Sequence, residues 1–399
     1  MKKNLLSLGL MVLALASVSC SNDDDPKLGK VDVNTVDYNE SNKTNWGNYM
    51  IAVSSLLTTD ASSLYSYWSG TYEGGASYAD IFKAHDGRQG YQSAQNCVTQ
   101  IVEGCADIAN EVGDAKIKDP YDKYVAGNTT EALYAVESWY SFHSRDDYSN
   151  NIISIRNSFY GNVYNGDAAN INSSAYNYNT VSEHSLCAYL EKNNPALATK
   201  VKNMVRETIG AIQDIPQPFR NNIVCNESRN AMEQCAELNN LLINEVVPYF
   251  NNLPASEEAE LDNIVKQYVD VVVLPTYKSL KESAEVLYKA VVEFQKSPSN
   301  AAMAKCATLW LAARAPWESS EAFLFGPVAD RGLDPNMDSW PLDQTQIYQV
   351  LTSASWDKDM NWSGEYDEDS EEISAAQTVR GFHTLEYLIF KDGEARKVK

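Results

Sequence analysis

The chain has 399 residues, 44% of them hydrophobic and 22% charged, a balance that marks a globular protein of about two domains and excludes a disordered one. Its formal net charge of −22 argues against nucleic acid and anionic membrane surfaces, whose binding depends on neutralising phosphates with basic side chains. Only 13 Pro and 19 Gly interrupt long stretches of Ala, Leu, Glu and Lys at helical spacing, so a mostly helical fold is expected.

Lys2 and Lys3 precede an apolar run from Leu5 to Val18, which is shorter than the roughly 20 residues that span a bilayer core. Residues 1–19 therefore read as an export signal. The sequence Ser17-Val18-Ser19-Cys20 resembles a bacterial lipoprotein cleavage site, with Cys20 as the lipidated mature N-terminus; an ordinary secretory signal is the alternative. Residues 20–43 are polar and without period, as expected of a tether, and Ser21 to Asp25 resembles the acidic tether of surface-displayed lipoproteins. These features place the protein in the cell envelope, on the outer membrane through lipid at Cys20, facing the periplasm or the exterior.

Helical periodicity covers residues 46–68, 91–111, 131–160, 181–213 and 228–250, pauses at 251–256, and resumes over 258–296, 299–325, 344–354 and 373–390. The pause divides the chain into a helical bundle at 44–253 and another at 254–399. Residues 161–180, rich in Asn, Gly, Ser and Tyr, read as a long loop. The acidic stretch 357–372 lacks the spacing of an EF-hand and reads as a solvated loop. Cys97, Cys105, Cys187, Cys225, Cys235 and Cys306 permit up to three disulfides in an exported protein, without CxxC spacing for zinc.

Three constellations could carry chemistry. On a helix, His383 and Glu386 share a face, so an imidazole nitrogen and a carboxylate oxygen can converge on one ion or on one another. Gly381, costly in a helix interior, implies close approach of a neighbour. Trp310, Arg314, Trp317, Glu318, Glu321 and Phe325 make one helical stripe in which buried charges would need partners. Glu137, Ser141, Ser144, Tyr148 and Asn151 form a polar arc on a third helix, with Ser138 and Asp147 beside it. His143 points off that arc, and His85 and His184 read as surface residues. Each stripe could equally be an ion-pair network, a packed His–Glu pair or a solvated face. No HExxH, phosphate-cradling Gly loop or GxSxG occurs.

Taken together, Gly381-x-His383-x-x-Glu386 with Tyr387 to Phe390, the run Arg314 to Pro327, Asp334-Pro335 with Trp340-Pro341-Leu342-Asp343, and the block Glu137 to Gly161 resemble the imelysin-like family over most of residues 45–390. The resemblance implies an all-α protein of two four-helix bundles, a site between them and a role in bacterial iron uptake. The block order differs from the family's, which implies a circular permutation. The family's peptidase label rests on the HxxE pair, but Thr384 stands where an adjacent base would, and a hydrolytic zinc needs a third ligand.

The expected function is therefore binding of a metal ion, iron or an iron chelate first and zinc as the alternative, in iron uptake alongside other envelope proteins. His383, Glu386, Glu321 and Glu137 are the expected ligands. Ser138, Ser141, Ser144, Asp147, Asn151, Arg314, Trp317, Glu318, Gly381 and Tyr387 are expected to surround them. A zinc metallopeptidase and a surface scaffold without small ligand are the competing readings.

Overall fold

The computed structural model describes residues 36–354 and 356–399. The expected export signal, Cys20 and the expected tether up to residue 35 lie outside the described residues. Ten helices organise the fold: α1 (Lys43–Ser69), α2 (Ala94–Glu111), α3 (Ser144–Tyr160), α4 (Pro195–Gln213), α5 (Asn226–Leu241), α6 (Glu258–Tyr268), α7 (Leu274–Lys296), α8 (Asn300–Glu318), α9 (Leu333–Asp338) and α10 (Gly381–Ile389). The all-α expectation holds; among the described residues the strand content is a two-residue antiparallel ribbon pairing Phe390 with Ala395 and Lys391 with Glu394.

Packing sorts eight of these helices into two sets of four. α1, α7, α8 and α10 surround one core, and α2, α3, α4 and α5 another, with α3 lying against α8 where the sets meet. The first set draws on both ends of the chain: Trp46 Nε1 on α1 donates to the Leu388 carbonyl on α10 at 3.0 Å. Asp37 pairs with Arg396 at 3.1 Å and with Lys391 at 2.8 Å. On either side of residues 251–256, the helix Val247–Asn251 and α6 both pack on α2.

Several expected helices are shorter than their periodicity suggests: that over 181–213 is split into Leu186–Asn193 and α4, and that over 373–390 into Glu371–Gln377 and α10. The helix expected over 131–160 is broken: Thr129–Ala135 is helical, 136–143 is a turn, and α3 starts at Ser144. Ser138 and Phe142 in that turn hold φ of 52° and 62°, which no helix accommodates. The helix expected over 299–325 ends at Glu318, and Glu321–Phe323 forms a separate 3-10 turn. All six described cysteines are free thiols, five of them buried, so none of the permitted disulfides forms. No described helix is long and apolar enough to cross a membrane.

Candidate metal centre

The start of α10 is fixed by backbone geometry. Gly381 has φ +82°, and a Cβ there would lie 2.4 Å from the Met337 carbonyl oxygen, so only glycine lets α9 approach this closely. Arg380, just before it, is buried in a pair with Asp60 and donates to the Met360 carbonyl at 3.2 Å. Phe382, Leu385, Leu388 and Ile389 anchor the apolar side of α10 in the core. His383 and Glu386 on the same helix are both fully buried.

His383 and Glu386 meet each other: Nδ1 lies 3.0 Å from Glu386 Oε2. Glu386 Oε1 accepts from the Tyr140 N–H (3.1 Å), the Ser141 N–H (2.8 Å) and the Ser141 hydroxyl (2.7 Å). Glu386 thus stands behind the imidazole, tying it to the 136–143 turn, rather than among converging oxygens. That arrangement fixes the ring and aims Nε2 the other way, as a carboxylate behind a ligating histidine does.

Nε2 faces Glu137 Oε1 at 3.2 Å and Asp338 Oδ1 at 3.0 Å. One ligand atom from each of Glu137, Asp338 and His383 falls within 4.8 Å of the others, and all three side chains are buried. Arg314 threads through the same space. It meets Glu137 Oε1 and Glu318 Oε1 at 2.5 Å each, Asp147 Oδ2 at 3.3 Å, and Asp338, and its Nη2 lies 3.3 Å from His383 Nε2. Lys116 reaches Glu137 Oε2 at 3.0 Å from a π-helical turn at Val112–Lys118.

Electrostatics follow from this crowding. Burial and Arg314 oppose a charged His383, but Asp338 and Glu137 prevail and hold the imidazole well above its ordinary value. Burial would raise Glu137, yet Lys116 and His383 keep it below the usual carboxylate range. Glu318 and Glu321 go the other way: burial dominates and pushes both well above it, against the pull of Arg314 on the first and Lys116 on the second.

The expected residues separate into groups. Glu321 does not join His383; its carboxylate clusters with Glu318 and Asp338. Glu137, Ser138 and Ser141 sit on the 136–143 turn rather than on a helical arc, a correction that brings them closer to α10, because the turn doubles back toward Glu386. Ser144 Oγ closes that turn by donating to the Glu137 carbonyl at 2.5 Å. Ser138 Oγ donates to Asp147, whose other oxygen takes His143 Nδ1 at 2.8 Å. Asn151 Nδ2 donates to Glu318 Oε2 at 2.5 Å, and Trp317 Nε1 to Asp338 Oδ2 at 2.6 Å. Tyr387 packs against Tyr140 at 5.2 Å and Trp46 at 5.9 Å between ring centroids.

Sequence reasoning missed three members. Asp338 lies between the quoted Asp334-Pro335 and Trp340-Pro341 pairs and was the natural extension of that block. Trp340 covers His383, with ring centroids 4.9 Å apart. No local signal points Lys116 inward. The three polar stripes face the interior, which removes the condition that a solvent-facing scaffold requires.

A donor set of one imidazole nitrogen and two carboxylate oxygens suits iron, zinc or manganese. The excess of carboxylates over cations and the unpartnered buried oxygens of Glu321 (Oε1) and Asn151 (Oδ1) fit a bound cation.

The imelysin family model, which carries a peptidase name, matches residues 25–244 and 273–399. A crystal structure of an imelysin peptidase from Bacteroides ovatus is 52% identical to this chain, covering 92% of it and all of that protein, with a TM-score of 0.86. Iron-regulated protein A from Synechococcus elongatus is 34% identical over 126 residues, 32% of this chain and 31% of that relative. The match spans about a third of that curated relative's length. With most of its length matched by the family model, the chain belongs to the imelysin family.

Proposed function

We propose that this protein binds a metal cation, iron foremost, on His383, Glu137 and Asp338 where the two helix sets meet, and serves iron uptake or homeostasis in the bacterial envelope. The observation that carries the reading is His383 itself: its Nδ1 is held by Glu386 while its Nε2 shares a buried space with two carboxylates. A relative named as iron-regulated supports iron over zinc. When bound, the cation would supply positive charge to an interior rich in carboxylates. Glu386 would orient the imidazole, and Arg314 would hold Glu137 and Asp338 in place.

Anchorage belongs to the same reading. Cys20 would carry the lipid, and other iron-uptake envelope proteins would deliver or receive the cation. The adjacency of Asp37 and Arg396 supports a circular permutation, since joined termini leave the packed set of helices unchanged.

Titration calorimetry with Fe2+ under anaerobic conditions tests the site. His383→Ala and Glu137→Ala should each weaken binding about 10-fold or more with helicity intact; unchanged affinity in both would show the cluster to be structural. The peptidase name keeps zinc-dependent proteolysis as a second reading. A polypeptide would have to reach a centre whose His383 and Arg314 are fully buried, so zinc-loaded protein should leave unfolded polypeptide uncut. Chelator-sensitive cleavage lost in Glu386→Ala would reverse that ranking.

A further inference from the structure

Beside the His383 cluster lies another group, which shares Asp338 with it. Single oxygens of Glu318, Glu321 and Asp338 also fall within 4.8 Å of one another, on the end of α8, the following turn and the end of α9. Glu321 Oε1 is buried with no hydrogen-bond donor. Glu318 Oε1 likewise lacks an aligned donor, although Arg314 approaches it as a charge at 2.5 Å. Asn151, fully buried and fastened to Glu318 through Nδ2, leaves its Oδ1 without a partner. Buried acceptors without donors are costly and rare in native proteins. Here two of them, Glu321 Oε1 and Asn151 Oδ1 on separate segments, share one interior.

Charge points the same way. Glu137, Asp147, Glu318, Glu321, Asp338 and Glu386 bury six carboxyl groups. Arg314 and Lys116 are the permanent cations among them, and His143 beside Asp147 adds a third when protonated. His383 is neutral when its Nε2 holds a cation, so with all six carboxyl groups ionised, as ligation by Glu318 and Glu321 requires, an excess of three negative charges would remain, more than one divalent ion cancels.

Resting on the cation site described above, we propose that the same interior holds a second divalent cation, on Glu318 and Glu321, with Asp338 shared between the two. An all-oxygen donor set suits Mn2+ better than zinc. A carboxylate common to two ions places them roughly 3.5–4 Å apart, as in other two-metal sites.

Manganese is the probe that separates the outcomes. The full mature protein is stripped with chelator and reloaded with Mn2+; metal per chain is measured by mass spectrometry and spin coupling by electron paramagnetic resonance. The wild type should hold about two ions with a coupled signal, and Glu321→Gln about one with an uncoupled signal, the second site weakening at least about 10-fold. His383→Ala should also fall to about one, because the Glu318–Glu321 side remains. A wild type holding one ion that Glu321→Gln leaves in place overturns the second site and keeps the first. No bound ion overturns both. Two uncoupled ions insensitive to Glu321→Gln place the second elsewhere and also overturn the proposal. If Glu321→Gln loses its helical circular dichroism, Glu318→Gln serves with the same expectations, and the wild-type content decides by itself.

Discussion

Glu386 Oε1 accepts both the backbone N–H and the hydroxyl of Ser141, a residue 245 positions earlier. One carboxylate thereby joins α10 to the turn that carries Glu137, and its other oxygen orients His383.

Glu386→Gln should keep much of the stability, because an amide oxygen can still accept from Tyr140 and Ser141. The amide nitrogen, however, would donate to His383 Nδ1 and move the ring proton to Nε2, where the cation must bind. Metal affinity should fall 10- to 100-fold while the thermal midpoint changes little. Glu386→Ala should lose about 2–4 kcal/mol as well, since it strands several buried donors. Calorimetry and thermal melts of both variants check this.

Arg314→Met should destabilise the metal-free protein by about 3–5 kcal/mol, because Glu137, Asp147, Glu318 and Asp338 would lose their common cation. Arg314→Lys should recover little, as one ammonium cannot span four carboxylates with a planar fork. Denaturant melts measure it, and added Mn2+ should restore part of the loss.

Gly381→Ala combines φ +82° with a Cβ 2.4 Å from the Met337 carbonyl. The strain alone costs on the order of 1–3 kcal/mol. Because relief means moving α9, Asp338 should shift with it, so metal affinity should fall together with stability. A variant that melts lower yet binds as tightly would separate the helix approach from the site.

Stability should also respond to pH through Asp147 and His143. Burial would raise Asp147, but His143 and Arg314 prevail and bring it down to about 2. Burial would lower His143, but Asp147 prevails and raises it. A depressed acid contributes fully above its unfolded value of about 4 and loses that contribution as pH falls through about 2; a raised histidine contributes fully below about 6.5 and loses it as pH rises through its folded value. The stability difference between wild type and His143→Gln should therefore be greatest between about pH 4 and 6.5 and shrink on both sides. A difference independent of pH would mean that the pair acts through packing alone.

Helix content, the resemblance carried by Gly381-x-His383-x-x-Glu386, and the polar stripes were legible in the sequence because periodicity is a local property, whereas whether the stripes face solvent or the interior was not. Glu137, Arg314 and His383 were legible as a set for the same reason: each is a charged or polar group at helical spacing. What the tertiary structure decided was how they are used. Glu386 turned from ligand candidate to anchor because a turn with positive φ at Ser138 and Phe142 brings two N–H groups onto it. Glu321 left His383 for Glu318 because α8 stops at residue 318 and the chain reverses. Asp338 and Lys116 entered from short segments whose inward direction is set by the helices around them. Convergence of groups from distant segments depends on where each segment ends and bends, and those ends are fixed by long-range packing that no local spacing encodes.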